Sequence, residues 1–280
     1  MIEAILNYRF LQYAIIAAIL SSIVCGLIGV IIVEKKLVMM SGGIAHTSYG
    51  GVGLGYLLGF EPIFGAFIFS ILAALGIGVL KNKSTGFSDI VIGLFWSLGM
   101  SLGIVFIGLM PGYPPTVTTY LFGNILYVTS LDLILLLILS VIIVLAVVIF
   151  YQDWKAHLFD QEFTKIIGKK TVFLENFLLI LIALSIVVLI RVVGIVLVIA
   201  MLTAPAASSA LVTKKLSLRM LYSILFGLFY TLSGLSISYL LDFASGAIIV
   251  LFSVIGYAIT YLIVYINRKM NTKASLRGAL

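Results

Sequence analysis

The chain has 280 residues, 63% hydrophobic and only 10% charged, with a formal net charge of +7 and a mean hydropathy of +1.29. Soluble domains carry about 25% charged residues, so a water-soluble fold is excluded. The basic residues form short clusters between apolar runs, as in membrane loops, and do not build a nucleic-acid-binding surface. The single cysteine, Cys25, excludes an intrachain disulfide and a cysteine-cluster metal site.

Apolar runs of about 20 residues, the length a helix needs to cross a bilayer, recur along the chain. They lack the period-two alternation of barrel strands. The fold class is therefore all-α, a polytopic integral membrane helical bundle, because helices satisfy their own backbone polar groups in lipid. The runs predict spans at 11–33, 37–59, 62–80, 90–110, 131–151, 172–190, 193–213, 217–240 and 245–266. The first run is too long for a cleaved signal peptide and is read as a retained span. The whole chain, 1–280, is one transmembrane domain, with a cytoplasmic loop at 152–171 and a basic cytoplasmic tail at 267–280.

Orientation follows from the loop charges. With the tail inside, alternation places every one of the 17 Lys and Arg residues on the cytoplasmic side except Arg9 and Arg191. Glu61 and Asp242 then face outward. So does the stretch 111–130, which holds three of the five prolines and has room for a short surface helix. Arg191 is read as snorkelling to the outer interface.

In the second span, MMSGGIAHTSYGGVGLG places His46 among Gly42, Gly43, Gly50, Gly51, Gly53 and Gly55. Counting from Leu37 puts His46 roughly 14 Å into the span, near the bilayer midplane. Two readings fit: an ion path or metal ligand, or a structural histidine bonded to Ser41, Thr47, Ser48 or a neighbouring helix. Gly51 and Gly55 form a GxxxG pair, a helix-packing pattern, and the glycines are read first as packing positions.

The loop sequence DWKAHLFDQEFTKIIGKKT predicts a short helix from Asp160, with Asp160 as N-cap, Glu162 in the first turn, Phe163 and Ile166 or Ile167 on one face, and Gly168 as the stop. Such a helix suits docking into a groove on a partner, and a solvated connector is the other reading. His157 is read as a surface residue. Pro205 lies inside the seventh span, where it either kinks a gating helix or simply packs. The chain has no GxxxxGK[ST] phosphate loop and no paired catalytic groups, so it is read as a transport protein and not an enzyme.

Five segments in order (GGIAH, PGYPPTVTTYLFGNIL, FDQEFTKIIG, RVVGIVLVIAMLTAPAASSALV and SGAIIVLFSVIGY) give the chain a resemblance over about residues 10–266. It resembles the membrane permease subunits of ATP-binding-cassette importers for divalent transition metals such as zinc, manganese and iron. The resemblance implies the ABC-importer permease fold in a prokaryotic cytoplasmic (inner) membrane. It implies a dimer with a second copy or close relative, two cytoplasmic ATPase subunits, and an extracellular or periplasmic metal-binding protein. It also implies that the cargo is a divalent metal ion, zinc or manganese, and that no cofactor is bound permanently. Phe159, Asp160, Glu162, Phe163 and Gly168 match the family's coupling helix, and His46 matches its intramembrane metal histidine. Two positions depart from the family pattern: Gly42 stands where an aspartate is usual and Gly50 where a proline is usual. Two His46 residues across a dimer axis can still meet a borderline metal. The competing readings are a permease for a siderophore or cobalamin, a stand-alone secondary transporter, and an intramembrane enzyme.

Overall fold

In the computed structural model, the described residues are 7–83, 88–111, 120–121, 123, 125–166, 168 and 170–277. Eleven α-helices follow one another among them: α1 (Arg9–Glu34), α2 (Val38–Leu58), α3 (Pro62–Lys83), α4 (Ser88–Gly108), α5 (Ser130–Ile149), α6 (Tyr151–Phe159), α7 (Gln161–Ile166), α8 (Thr171–Val193), α9 (Ile195–Val212), α10 (Leu216–Leu241) and α11 (Ser245–Arg277). A short 3-10 turn, Ile125–Tyr127, lies within the outer stretch, whose residues 112–119 are outside the described set.

Eight of the described helices are long and apolar enough to cross a membrane. The predicted span outside these eight is α2, 21 residues long but interrupted by its glycines, hydroxyls and His46. Its position explains the difference. α2 packs along both α3 and α4 and also touches α8 and α9, and Met40 to Ala45 and Thr47 to Val52 are buried. A helix clad in protein needs no lipid-matching surface. Its pairings still require it to cross. A Cβ on Gly51 would strike the Gly65 backbone, one on Gly55 would lie 2.6 Å from Pro62 Cα, and one on Gly43 would lie 3.9 Å from Ile77 Cδ1. Residue numbers fall on α3 as they rise on α2, so the two run antiparallel along their length.

A second group forms around α1, which packs on α5, α9 and α10, while α11 closes against α9 and α10. α8 joins the groups through α3, α2 and α5. The small residues set the spacing: a Cβ on Gly29 of α1 would meet the Leu202 carbonyl of α9, and Gly234 of α10 lies against Ile249 of α11. α9 is a single helix through the buried Pro205. The least enclosed spans are α4 and α11, with Leu94, Leu98, Ile104 and Val105 of α4 exposed.

Ion pairs at the helix ends agree with the alternation predicted from loop charge. Glu61 before α3, Asp132 at the start of α5 and Arg191 at the end of α8 meet on the predicted outer side. Glu34 at the end of α1 and Arg219 at the start of α10 pair on the inner side.

Candidate transport site

His46 is half-buried on α2, and its ring stacks on Trp96 of α4, with centroids 4.0 Å apart and planes at 13°. The hydroxyls expected to satisfy it do otherwise. Ser41 Oγ donates to the Val38 carbonyl (2.7 Å) and Thr47 Oγ1 to the Gly43 and Phe95 carbonyls (2.7 and 3.0 Å). Ser48 Oγ donates to the Ala45 carbonyl (2.6 Å) and pairs with the Tyr120 hydroxyl (2.8 Å). A helical serine or threonine finds the carbonyl three or four residues back before it finds a side chain. Among the described residues, His46 Nδ1 is buried without a hydrogen-bond partner. Leaving such an atom unpaired costs about 1–3 kcal/mol.

Gly42 lies one turn before His46, and a Cβ there would sit 3.4 Å from Trp96 Cζ3. Gly50 faces the Gly99 carbonyl and Phe69, each 3.0 Å from a Cβ added there. These glycines, with Gly51 and Gly53, let α3 and α4 close on α2. No group of three or more His, Cys, Asp or Glu residues able to hold a metal is found among the described residues.

On the predicted outer side a cavity of about 370 Å³ is lined by Tyr49, Tyr56, Glu61, Tyr120, Val187 and Arg191, among others. Its inner wall includes Tyr49, one turn beyond His46. Arg191 closes part of its rim: Nη1 donates to Glu61 Oε1 at 2.7 Å and Nε donates to Asp132 Oδ1. The predicted snorkelling is therefore replaced by a bridge, because two carboxylates converge on the guanidinium at the ends of α3 and α5. Asp132 is held further by its role in the α5 capping box, taking bonds from Thr129 N (3.0 Å) and Thr129 Oγ1 (2.6 Å). Asp242 caps α10 in the left-handed region, φ 54°.

The loop predicted to be cytoplasmic holds two helices where one was expected. α6 continues almost directly from α5 and was missed because its low hydropathy resembles a connector. It buries Trp154 and His157. His157 is thus not a surface residue: it is 3% exposed, with Nε2 2.5 Å from Lys35 Nζ in the α1–α2 turn. The predicted short helix lies where the capping signals placed it. Asp160 is extended (φ −148°, ψ 100°) and its carbonyl accepts from Thr164 N at 3.1 Å. α7 spans Gln161–Ile166, and Gly168 takes φ +78°. Phe159, Glu162 and Ile166 are exposed beside it, while the side chain of Phe163 is outside the described residues.

A half-buried intramembrane histidine, an outer cavity ending one turn away, and a helix with exposed apolar groups on the inner side define a multi-span transport protein. The chain belongs to the ABC 3 transport family, whose model matches residues 7–265. It is 36% identical to the "Manganese transport system membrane protein MntC" of Listeria monocytogenes, over 93% of each chain. It is 32% identical to the "Manganese import system permease protein ScaB" of Streptococcus gordonii, over 96% of this chain and 98% of that one. Among solved structures it superposes on a chain of PsaBC from Streptococcus pneumoniae with a TM-score of 0.83 at 32% identity, covering 93% and 94% of the two chains.

Proposed function

We propose that this chain is the permease subunit of an ATP-driven importer for a divalent metal ion, manganese ahead of zinc, in a prokaryotic cytoplasmic membrane. The observation that carries the reading is His46. It is the one histidine or charged side chain in α2, it sits mid-span with an unpartnered buried nitrogen, and the outer cavity ends one turn above it. The relatives named for manganese transport favour that cargo over zinc.

A second copy of the chain packs against the exposed α4 face, where Gly93 and Gly108 have open space around them. This brings two His46 residues toward a shared path. An extracellular or periplasmic metal-binding protein delivers the ion to the outer cavity. Two ATPase subunits dock at α7, with Phe159, Asp160, Glu162 and Phe163 meeting the groove and Gly168 ending the helix. ATP binding closes those subunits, and the motion of α7 passes through α6 to α8, which α6 and α7 both touch. Nucleotide shifts the inward–outward equilibrium only through its different affinity for the two states. Pro205 and the α2 glycines Gly42, Gly50 and Gly51 set the helix spacing on which that motion rides.

The test is uptake of radiolabelled manganese and zinc into proteoliposomes holding permease, ATPase and binding protein, comparing wild type with His46→Ala. Uptake should fall sharply while assembly and basal ATPase activity persist. Unchanged uptake would show that the ion crosses without His46.

A further inference from the structure

We infer that Trp96 is an affinity-setting residue for the cation at His46, its indole face supplying stabilisation that this α2 face has no second side chain to supply. The inference rests on the reading of His46 as part of the ion path.

Three observations converge. The imidazole and indole are stacked at 4.0 Å and 13°, so Trp96 covers one whole face of His46 while leaving the in-plane nitrogen directions to other surroundings. The position one turn before His46 is Gly42, which brings no side chain to this face, and a Cβ added there would be in van der Waals contact with Trp96 Cζ3 at 3.4 Å, so the indole lies beside both positions. The stack is also fixed from both sides along α4: Thr47 Oγ1 bonds the Phe95 carbonyl at 3.0 Å, and Gly99 packs directly on the Thr47 backbone. Those contacts bracket Trp96 by one residue before and three after, so the ring is held over His46 by the backbone and not by its own rotamer alone.

The chemistry follows from charge. An imidazole that coordinates a divalent cation takes on positive character, and a tryptophan face is the best of the aromatic faces for a cation within about 6 Å. Unliganded imidazole gains much less, so the contact favours the loaded state. In a water-poor site this preference corresponds to between about two- and thirty-fold in affinity. Trp96 also holds the imidazole plane, so the ring does not have to be ordered when the ion arrives.

The test uses the full permease–ATPase assembly in detergent without the binding protein, titrated directly with Mn²⁺. Tryptophan emission is recorded for wild type and Trp96→Phe, and the difference cancels Trp154. The difference signal should respond saturably to Mn²⁺, and that response should vanish in His46→Ala. Mn²⁺ binding by Trp96→Leu, measured by equilibrium dialysis, should weaken by about two- to thirty-fold. Trp96→Phe should fall between Trp96→Leu and wild type. Equal Mn²⁺ affinity in wild type and Trp96→Leu overturns the inference, as does equal weakening in the phenylalanine and leucine variants. If those results come with loss of uptake in His46→Ala, only the role of Trp96 falls. If His46→Ala leaves uptake intact, the path reading falls, and the inference with it.

Discussion

Replacing Arg191 separates the two arms of the outer ion bridge. Glu61 is 54% exposed and Asp132 only 7%. Exposed ion pairs contribute about 0–1 kcal/mol, so Glu61→Gln should shift stability by no more than that. Removing one partner of a buried pair costs about 3–5 kcal/mol, because the other charge stays behind. Asp132 keeps its two bonds from Thr129 and Arg191 is itself 32% exposed. After that discount, Arg191→Met should cost about 2–3 kcal/mol. At about 2–4 °C per kcal/mol for a chain of this size, the apparent melting temperature in detergent should fall by roughly 5–10 °C. Adding Asp132→Asn to Arg191→Met removes the stranded charge and should recover part of the loss. Scanning fluorimetry of the purified protein measures wild type and the three variants. Equal effects of Glu61→Gln and Arg191→Met, or no recovery in the double variant, would refute the claim that the buried carboxylate carries the cost.

Gly51→Val should be among the most damaging single changes in α2, since even a Cβ there meets the Gly65 backbone and lies 2.8 Å from Ala66 N. Overpacking of this kind costs about 1–3 kcal/mol or more, read as loss of folded yield and melting temperature. Gly168→Ala meets no atom within 4 Å but must adopt φ +78°. It should cost about 1 kcal/mol of backbone strain locally and lower ATPase-coupled uptake without changing metal binding. Phe159→Ala with Ile166→Ala removes two exposed apolar groups, 67% and 82% accessible, and should weaken copurification of the ATPase while leaving stability within about 0.5 kcal/mol of wild type. Thr129→Ala breaks the α5 capping box and should destabilise by about 0.5–2 kcal/mol, detected in the same melting assay.

Much of this molecule is written in local pattern. Apolar run length located the spans, and lysine and arginine placement gave an alternation with which the outer bridge of Glu61, Asp132 and Arg191 and the inner pair of Glu34 and Arg219 both agree. Asp160 and Gly168 marked the ends of α7, because capping and left-handed stops depend on neighbours in the chain. What required the tertiary structure was every relation between distant residues. Hydropathy alone cannot reveal that α2 is clad by α3 and α4, since the same glycines and hydroxyls would read as a weak span or a loop. His157 looked like a surface residue until α6 folded back on the α1–α2 turn, and Arg191 looked like a snorkelling cation until two carboxylates arrived from other helices. Trp96 carried no signal at all: it lies fifty residues from His46, and only the close passage of α4 over the glycines of α2 stacks one ring on the other. The sequence alone determined a helical membrane protein and the ends of α7, because these follow from solvent transfer and short-range hydrogen bonding. The three-dimensional packing decided which polar groups meet inside it, because that depends on how closely helices far apart in sequence approach.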